Sequence, residues 1–128
     1  MARIIAIEDS PALQRLLVLT MRGTEFEIES HLLGQSGLEA ALEDPPDLVI
    51  LDLGLPDMPG WDVLERLRSE PETADLPIVV ATGETRSGVV DRISNMGAVM
   101  LEKPFTGAGL RATVRLLIGN NAEVGAPT

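Results

Sequence analysis

Four apolar runs in this chain end in residues suited to phosphoryl chemistry, and their order restricts the fold. Ile4-Ile5-Ala6-Ile7 leads into Glu8-Asp9, Leu48-Val49-Ile50-Leu51 into Asp52, Ile78-Val79-Val80-Ala81 into Thr82, and Val99-Met100-Leu101 into Glu102-Lys103. Stretches of helical spacing separate these strand-like runs, which is the alternation of a parallel sheet with crossover helices. In such a sheet the polar ends converge on one edge, where open α/β sheets bind ligands. Three carboxylates gathered in that crevice repel one another and lose hydration, so either their pKa values rise or a cation sits among them. A metal site is thus predicted from the strand ends alone.

The chain has 128 residues, enough for one domain with a sheet covered on both faces, and 45% of them are hydrophobic. Its formal charge is −10, its arginines are scattered, and only Phe26, Trp61 and Phe105 could stack on bases. This balance argues against direct nucleic-acid binding. The absence of cysteine removes thiol and disulfide chemistry. No apolar run approaches the roughly 20 residues of a membrane span, so a soluble, cytoplasmic protein without membrane contact is expected. Lys103 is the sole lysine. A compact ammonium on a flexible stem is not replaceable by a planar guanidinium, so its survival at a strand end calls for a reason.

Ser10-Pro11 reads as an N-cap with proline at the first helical position, opening helix 1 over roughly residues 11–22, with Leu13, Leu16, Leu17 and Met21 as its apolar stripe. Residues 26–33 read as strand 2. Leu38, Ala41 and Leu42 mark a short second helix stopped by Pro45-Pro46, and strand 3 covers about residues 47–52. The Pro- and Gly-rich loop over 53–60 leads into helix 3, with Leu64 and Leu67 inward, Trp61 as an anchor, and Asp62 paired with Arg66. Strand 4 follows Pro77, helix 4 spans residues 87–95, strand 5 ends at Lys103, and helix 5 buries Leu110, Val114, Leu117 and Ile118. The domain is expected over residues 1–118, with a disordered tail over 119–128.

Singly, each strand-end residue has a structural reading as a turn former, an N-cap or a solvated charge. Jointly they resemble the receiver domain of two-component response regulators. The match covers about residues 3–118 and rests on Glu8-Asp9, on the segment from Asp52 through Pro56 to Gly60, on Ala81-Thr82-Gly83, on Gly97-Ala98 and on Lys103-Pro104-Phe105. The resemblance implies a flavodoxin-like, doubly wound (βα)5 fold with a five-stranded parallel sheet in the order 2-1-3-4-5. Strands 1 and 3 are then neighbours at about 4.8 Å, while strand 5 lies about 10 Å from strand 3, within reach of a lysine stem leaning over strand 4.

By the same resemblance, Asp52 is the nucleophile that takes a phosphoryl group from a phosphohistidine of a histidine kinase or histidine phosphotransfer protein. Asp9, Asp52 and the Gly54 carbonyl ligate Mg²⁺, and Glu8 acts through bound water. Lys103 is the electrostatic clamp, and Thr82 the switch hydroxyl. Gly54 and Glu84 tune the lifetime of the aspartyl phosphate: glycine leaves the approach open, and Glu84 either orients water or repels a rival donor. Lys103-Pro104 matches a peptide that is cis in the family. Gln14, Arg15, Pro104 and Phe105 form the expected docking surface for the phosphodonor protein. The output face comprises helix 4, strand 5 and helix 5, with Arg92, Arg111 and Arg115 as candidate contacts to an unknown downstream protein.

The pattern departs from the family at Met100, which stands where an aromatic switch residue is usual, and the spacing from Gly97-Ala98 to Lys103 is one residue short. Methionine is flexible, so a softer transition is expected. With no output domain following helix 5, a single-domain regulator of chemotaxis or phosphorelay type is expected, autophosphorylating and self-dephosphorylating rather than turning over substrate. The alternatives are a pseudo-receiver serving only as an interaction module and an aspartyl-phosphate phosphatase. The phosphatase needs a second aspartate where Gly54 stands.

Overall fold

The computed structural model describes residues 2–119. The tail expected beyond residue 118 lies outside the described residues except for Gly119, which closes a final π-helical turn, Arg115–Gly119. The elements alternate: β1 (Ala2–Ile7), α1 (Pro11–Met21), β2 (Phe26–His31), α2 (Gly34–Glu43), β3 (Leu48–Asp52), α3 (Gly60–Ser69), β4 (Ile78–Thr82), α4 (Ser87–Asn95), β5 (Val99–Glu102) and α5 (Gly107–Val114). All strand pairs are parallel, in the order β2-β1-β3-β4-β5. This is the expected flavodoxin-like sheet, with its switch point between β1 and β3.

Successive strand residues point to opposite faces, and here both faces are covered. Ile5, Ile7, Val49, Leu51, Ile78 and Val80 form one core with Leu38, Val63, Leu64, Leu67 and Ile93 of α2, α3 and α4. Ile4, Ala6, Leu48, Ile50, Val79 and Ala81 form the other with Leu17, Met21, Leu110 and Val114 of α1 and α5. Burial on both sides explains why the strands read as unbroken apolar runs. Among the described residues no helix is long and apolar enough to cross a membrane.

Several boundaries and contacts differ from expectation. β2 stops at His31 rather than residue 33, because its pairing partner β1 ends at Ile7 opposite His31. α1 is rotated: Gln14, Leu17, Thr20 and Met21 face inward, while Leu16 is 41% exposed. The cause is the Gln14 amide, whose Nε2 donates to the carbonyls of Ala6, Glu8 and His31 at 2.9, 3.2 and 3.1 Å. The His31 carbonyl also accepts the Glu8 N–H at 3.0 Å, so the buried amide adds a further donor where the strands end. Arg66 pairs with Glu70 at 3.0 Å, not with Asp62. Asp62 stays in the first turn of α3, where its charge suits the helix dipole.

Burial sets the expected stability of single sites. Leu64 is fully buried and Leu116 is 62% exposed. Replacing Leu64 with alanine is expected to cost about 3 kcal/mol, whereas Leu116→Ala stays within about 0.5 kcal/mol, as read by equilibrium urea denaturation.

Candidate active site

Parallel register brings the strand ends together. Ile7 lies opposite Leu51, and Asp52 opposite Ala81, so Glu8 and Asp9 continue from β1 directly beside the end of β3. One carboxylate oxygen from each of Glu8, Asp9 and Asp52 lies within 4.8 Å of the others. These are hard oxygen donors, two of them sheltered and one open to solvent, and they fit an ion that keeps several waters, as Mg²⁺ does. The Gly54 amide donates to Asp52 Oδ1 at 3.3 Å, turning the loop after β3 back over its own carboxylate.

Lys103 reaches further than the resemblance alone implies. Its Nζ donates to Glu8 Oε1 at 2.7 Å and lies 3.4 Å from Asp52 Oδ1. The backbone at Lys103 is fixed by its N–H donating to the Thr82 carbonyl at 2.8 Å, and the Lys103–Pro104 peptide is cis, as expected. Burial pushes the Glu8 carboxyl up, as does the Asp52 charge, against the downward pull of the Lys103 and Ser10 hydrogen bonds. Burial pulls Lys103 down, but the Glu8 hydrogen bond and the Glu8 and Asp52 charges outweigh it, and its pKa rises. The Glu8 side chain is only 4% exposed and faces the Asp52 charge as well as the lysine.

Thr82 is buried, and its Oγ1 accepts the Glu84 N–H at 3.0 Å. Glu84 is engaged at its carboxylate by Arg86 through bonds of 2.8 and 3.1 Å. Met100 is half-buried and packs against the core beneath α4. Pro104 and Phe105 join Leu13, Leu16 and Lys103 around a cleft of about 330 Å³, and Arg15 is exposed on the same helix as those leucines.

Gln14, expected at the docking surface, is a correction: it is buried as the strut described above and offers no surface to a partner. Two of the arginines expected on the output face also engage neighbouring elements while staying about half exposed. Arg92 bonds Glu65 of α3 at 2.9 Å and stacks over Trp61, its guanidinium carbon 4.1 Å from the ring centre. Arg115 pairs with Glu25 at 3.4 Å and lies 5.9 Å from the Phe26 ring. Asp57 is a residue that sequence reasoning passed over as a loop former. Its carboxylate accepts from Gly34 N and Gln35 N at 2.8 and 2.9 Å, capping α2 from outside. The sequence signal was there in the negative, since Leu33 before α2 has no side-chain acceptor.

Comparison with known proteins agrees with this geometry. The model of the response regulator receiver domain matches residues 4–115. The chain is 38% identical over 120 residues to the transcriptional regulatory protein KdpE of Mycobacterium tuberculosis, covering 90% of this chain and 52% of that protein. It is 32% identical over 121 residues to the DNA-binding dual master transcriptional regulator RpaA of Synechocystis, covering 92% of this chain and 49% of the relative. The chain thus spans about half the length of these curated relatives. The chemotaxis response regulator CheY4 of Vibrio cholerae superposes with a TM-score of 0.85 at 26% identity, over 91% of this chain and 98% of CheY4. With the family model spanning most of its length and the acidic strand ends assembled as that fold requires, the chain belongs to the response regulator receiver domain family.

Proposed function

We propose that this receiver domain accepts a phosphoryl group on Asp52 and uses it to switch a protein-interaction face. The observation that carries the reading is the convergence of three carboxylates with the sole lysine: Glu8, Asp9 and Asp52 within 4.8 Å, and Lys103 Nζ in contact with two of them. The donor is a phosphohistidine on a histidine kinase or histidine phosphotransfer protein. A carboxylate oxygen of Asp52 attacks phosphorus in line, the P–N bond breaks, and its electron pair returns to the imidazole ring. Asp9, Asp52 and the Gly54 carbonyl would hold Mg²⁺, with Glu8 acting through water. When bound, the ion supplies charge neutralisation at the phosphoryl oxygens.

Lys103 exchanges part of its contact with Glu8 and Asp52 for the incoming phosphoryl oxygens, where negative charge gathers. Thr82 releases the Glu84 amide and donates its hydroxyl to the phosphoryl group, drawing the β4–α4 loop inward. The half-buried Met100 repacks under α4 in place of an aromatic ring, giving a softer transition across α4, β5 and α5. Gly54 and Glu84 set the lifetime of the acyl phosphate, whose loss by hydrolysis makes the domain a switch rather than a turnover enzyme. Arg15, Pro104 and Phe105 form the docking edge for the donor protein, in the cytoplasm where such kinases present their phosphohistidine. A pseudo-receiver has no need for a complete set of carboxylates and a lysine.

Incubation with acetyl phosphate and Mg²⁺ is expected to add one phosphoryl mass to the intact protein. Asp52→Asn takes none, chelation of the metal abolishes the gain, and Lys103→Ala slows it about 100-fold; unchanged labelling of Asp52→Asn by mass spectrometry would sink the assignment. A second expectation follows from Glu8. A carboxyl whose folded pKa is raised contributes stability at low pH that is lost as the pH climbs through the folded value. In metal-free buffer the wild type should therefore gain stability relative to Glu8→Gln as the pH falls from neutrality toward the ordinary carboxylate range. Parallel urea midpoints for the two proteins across that range would contradict it.

A further inference from the structure

α2 begins without a cap of its own. The residue before it is Leu33, and two of its first amides, Gly34 and Gln35, donate instead to the two oxygens of Asp57, 22 or more residues away in sequence. Those amides, Gln35 before Gly34, hold the Asp57 carboxyl below its usual range. The residues around Asp57 press on the same point: a Cβ at Gly34 would come within 2.7 Å of Met58 Cγ and 3.1 Å of Leu55 Cδ1. One turn on, a Cβ at Gly37 would come within 2.5 Å of Ile7 Cγ1. Ile7 directly precedes Glu8-Asp9, and Leu55 directly follows Gly54. The first turn of α2 is therefore a block wedged between the two chain segments that carry the carboxylates and the loop carbonyl. The loop base is closed independently by Gly60 N–H donating to the Leu53 carbonyl at 2.9 Å.

We propose that Asp57 is a positioning residue for the phosphoacceptor site, docking the loop over residues 53–59 onto α2 so that the Gly54 carbonyl is held where it could share a cation with Asp9 and Asp52. This rests on the cation-dependent phosphoryl transfer proposed above. Asp57 touches no reacting atom and acts only through the loop backbone. A side chain that merely caps α2 would contribute stability and leave cation affinity alone; a side chain that sets the spacing changes affinity as well.

The experiment compares the wild type, Asp57→Ala, Asp57→Asn and Thr106→Ala in the full chain. Thr106 caps α5 through Gly109 N and serves as the control for loss of a helix cap away from the loop. Mg²⁺ affinity is read by calorimetry, stability by urea denaturation, and the phosphorylation rate with acetyl phosphate at limiting and saturating Mg²⁺. Asp57→Ala is expected to weaken Mg²⁺ binding about 10-fold, with a slowed rate at limiting Mg²⁺ that recovers at saturation. Asp57→Asn, which keeps one acceptor oxygen, falls between. Thr106→Ala loses stability and keeps wild-type affinity. If Asp57→Ala matches Thr106→Ala in all three readouts, the proposal is overturned; if Asp57→Ala does not fold, unchanged Mg²⁺ affinity in Asp57→Asn overturns it. Weakened Mg²⁺ binding in Asp57→Ala, in a protein that takes no phosphoryl group, supports the positioning role and rejects the phosphoacceptor reading. A wild type that binds no Mg²⁺ rejects both.

Discussion

The reach of one ammonium across the sheet organises this molecule. Lys103 leaves the end of β5, passes the end of β4 and contacts the carboxylate that ends β3 and the one just after β1. The strand order β2-β1-β3-β4-β5 makes this contact possible, because β1 lies directly beside β3 and keeps Glu8 within that reach. The ammonium offsets the repulsion among three gathered carboxylates without removing it. Burial first, and then the Asp52 charge, push the Glu8 carboxyl up against the pull of the Lys103 and Ser10 hydrogen bonds.

The sheet behind this cluster is rigid for a simple reason. Its three central strands are packed on both faces, so the carboxylates at and just beyond their ends are carried by a close-packed base. The periphery is held differently. Gln14 ties the carbonyls at the ends of β1 and β2, and Arg68 bonds the Met96 and Gly97 carbonyls where α4 ends. Side-chain amides and guanidinium groups thus complete the backbone hydrogen bonding where regular structure stops.

What could be read in the sequence was whatever depends on a residue and its near neighbours. The strands announced themselves as apolar runs, Ser10-Pro11 marked the start of α1, and the residues at the strand ends indicated where chemistry gathers. The sheet order and the roles within the site came from the family resemblance carried by those same residues. Contacts between distant elements were beyond either kind of reading. Asp57 looks like any loop aspartate until α2 is found to lack its own cap, and Arg92 looks like surface charge until Trp61 is found beneath it. Gln14 breaks the helical pattern by turning its amide toward three strand-end carbonyls while Leu16 stays exposed, a polar contact that hydrophobic spacing does not register.

The stacking of Arg92 on Trp61 has an optical consequence. Trp61 is the chain's one tryptophan, it sits in the first turn of α3, and the charge above its ring belongs to α4. Indole emission responds to a nearby cation, so displacement of α4 from its neighbour alters the intrinsic fluorescence of the unlabelled protein. The fold carries its own reporter at the seam between α3 and α4.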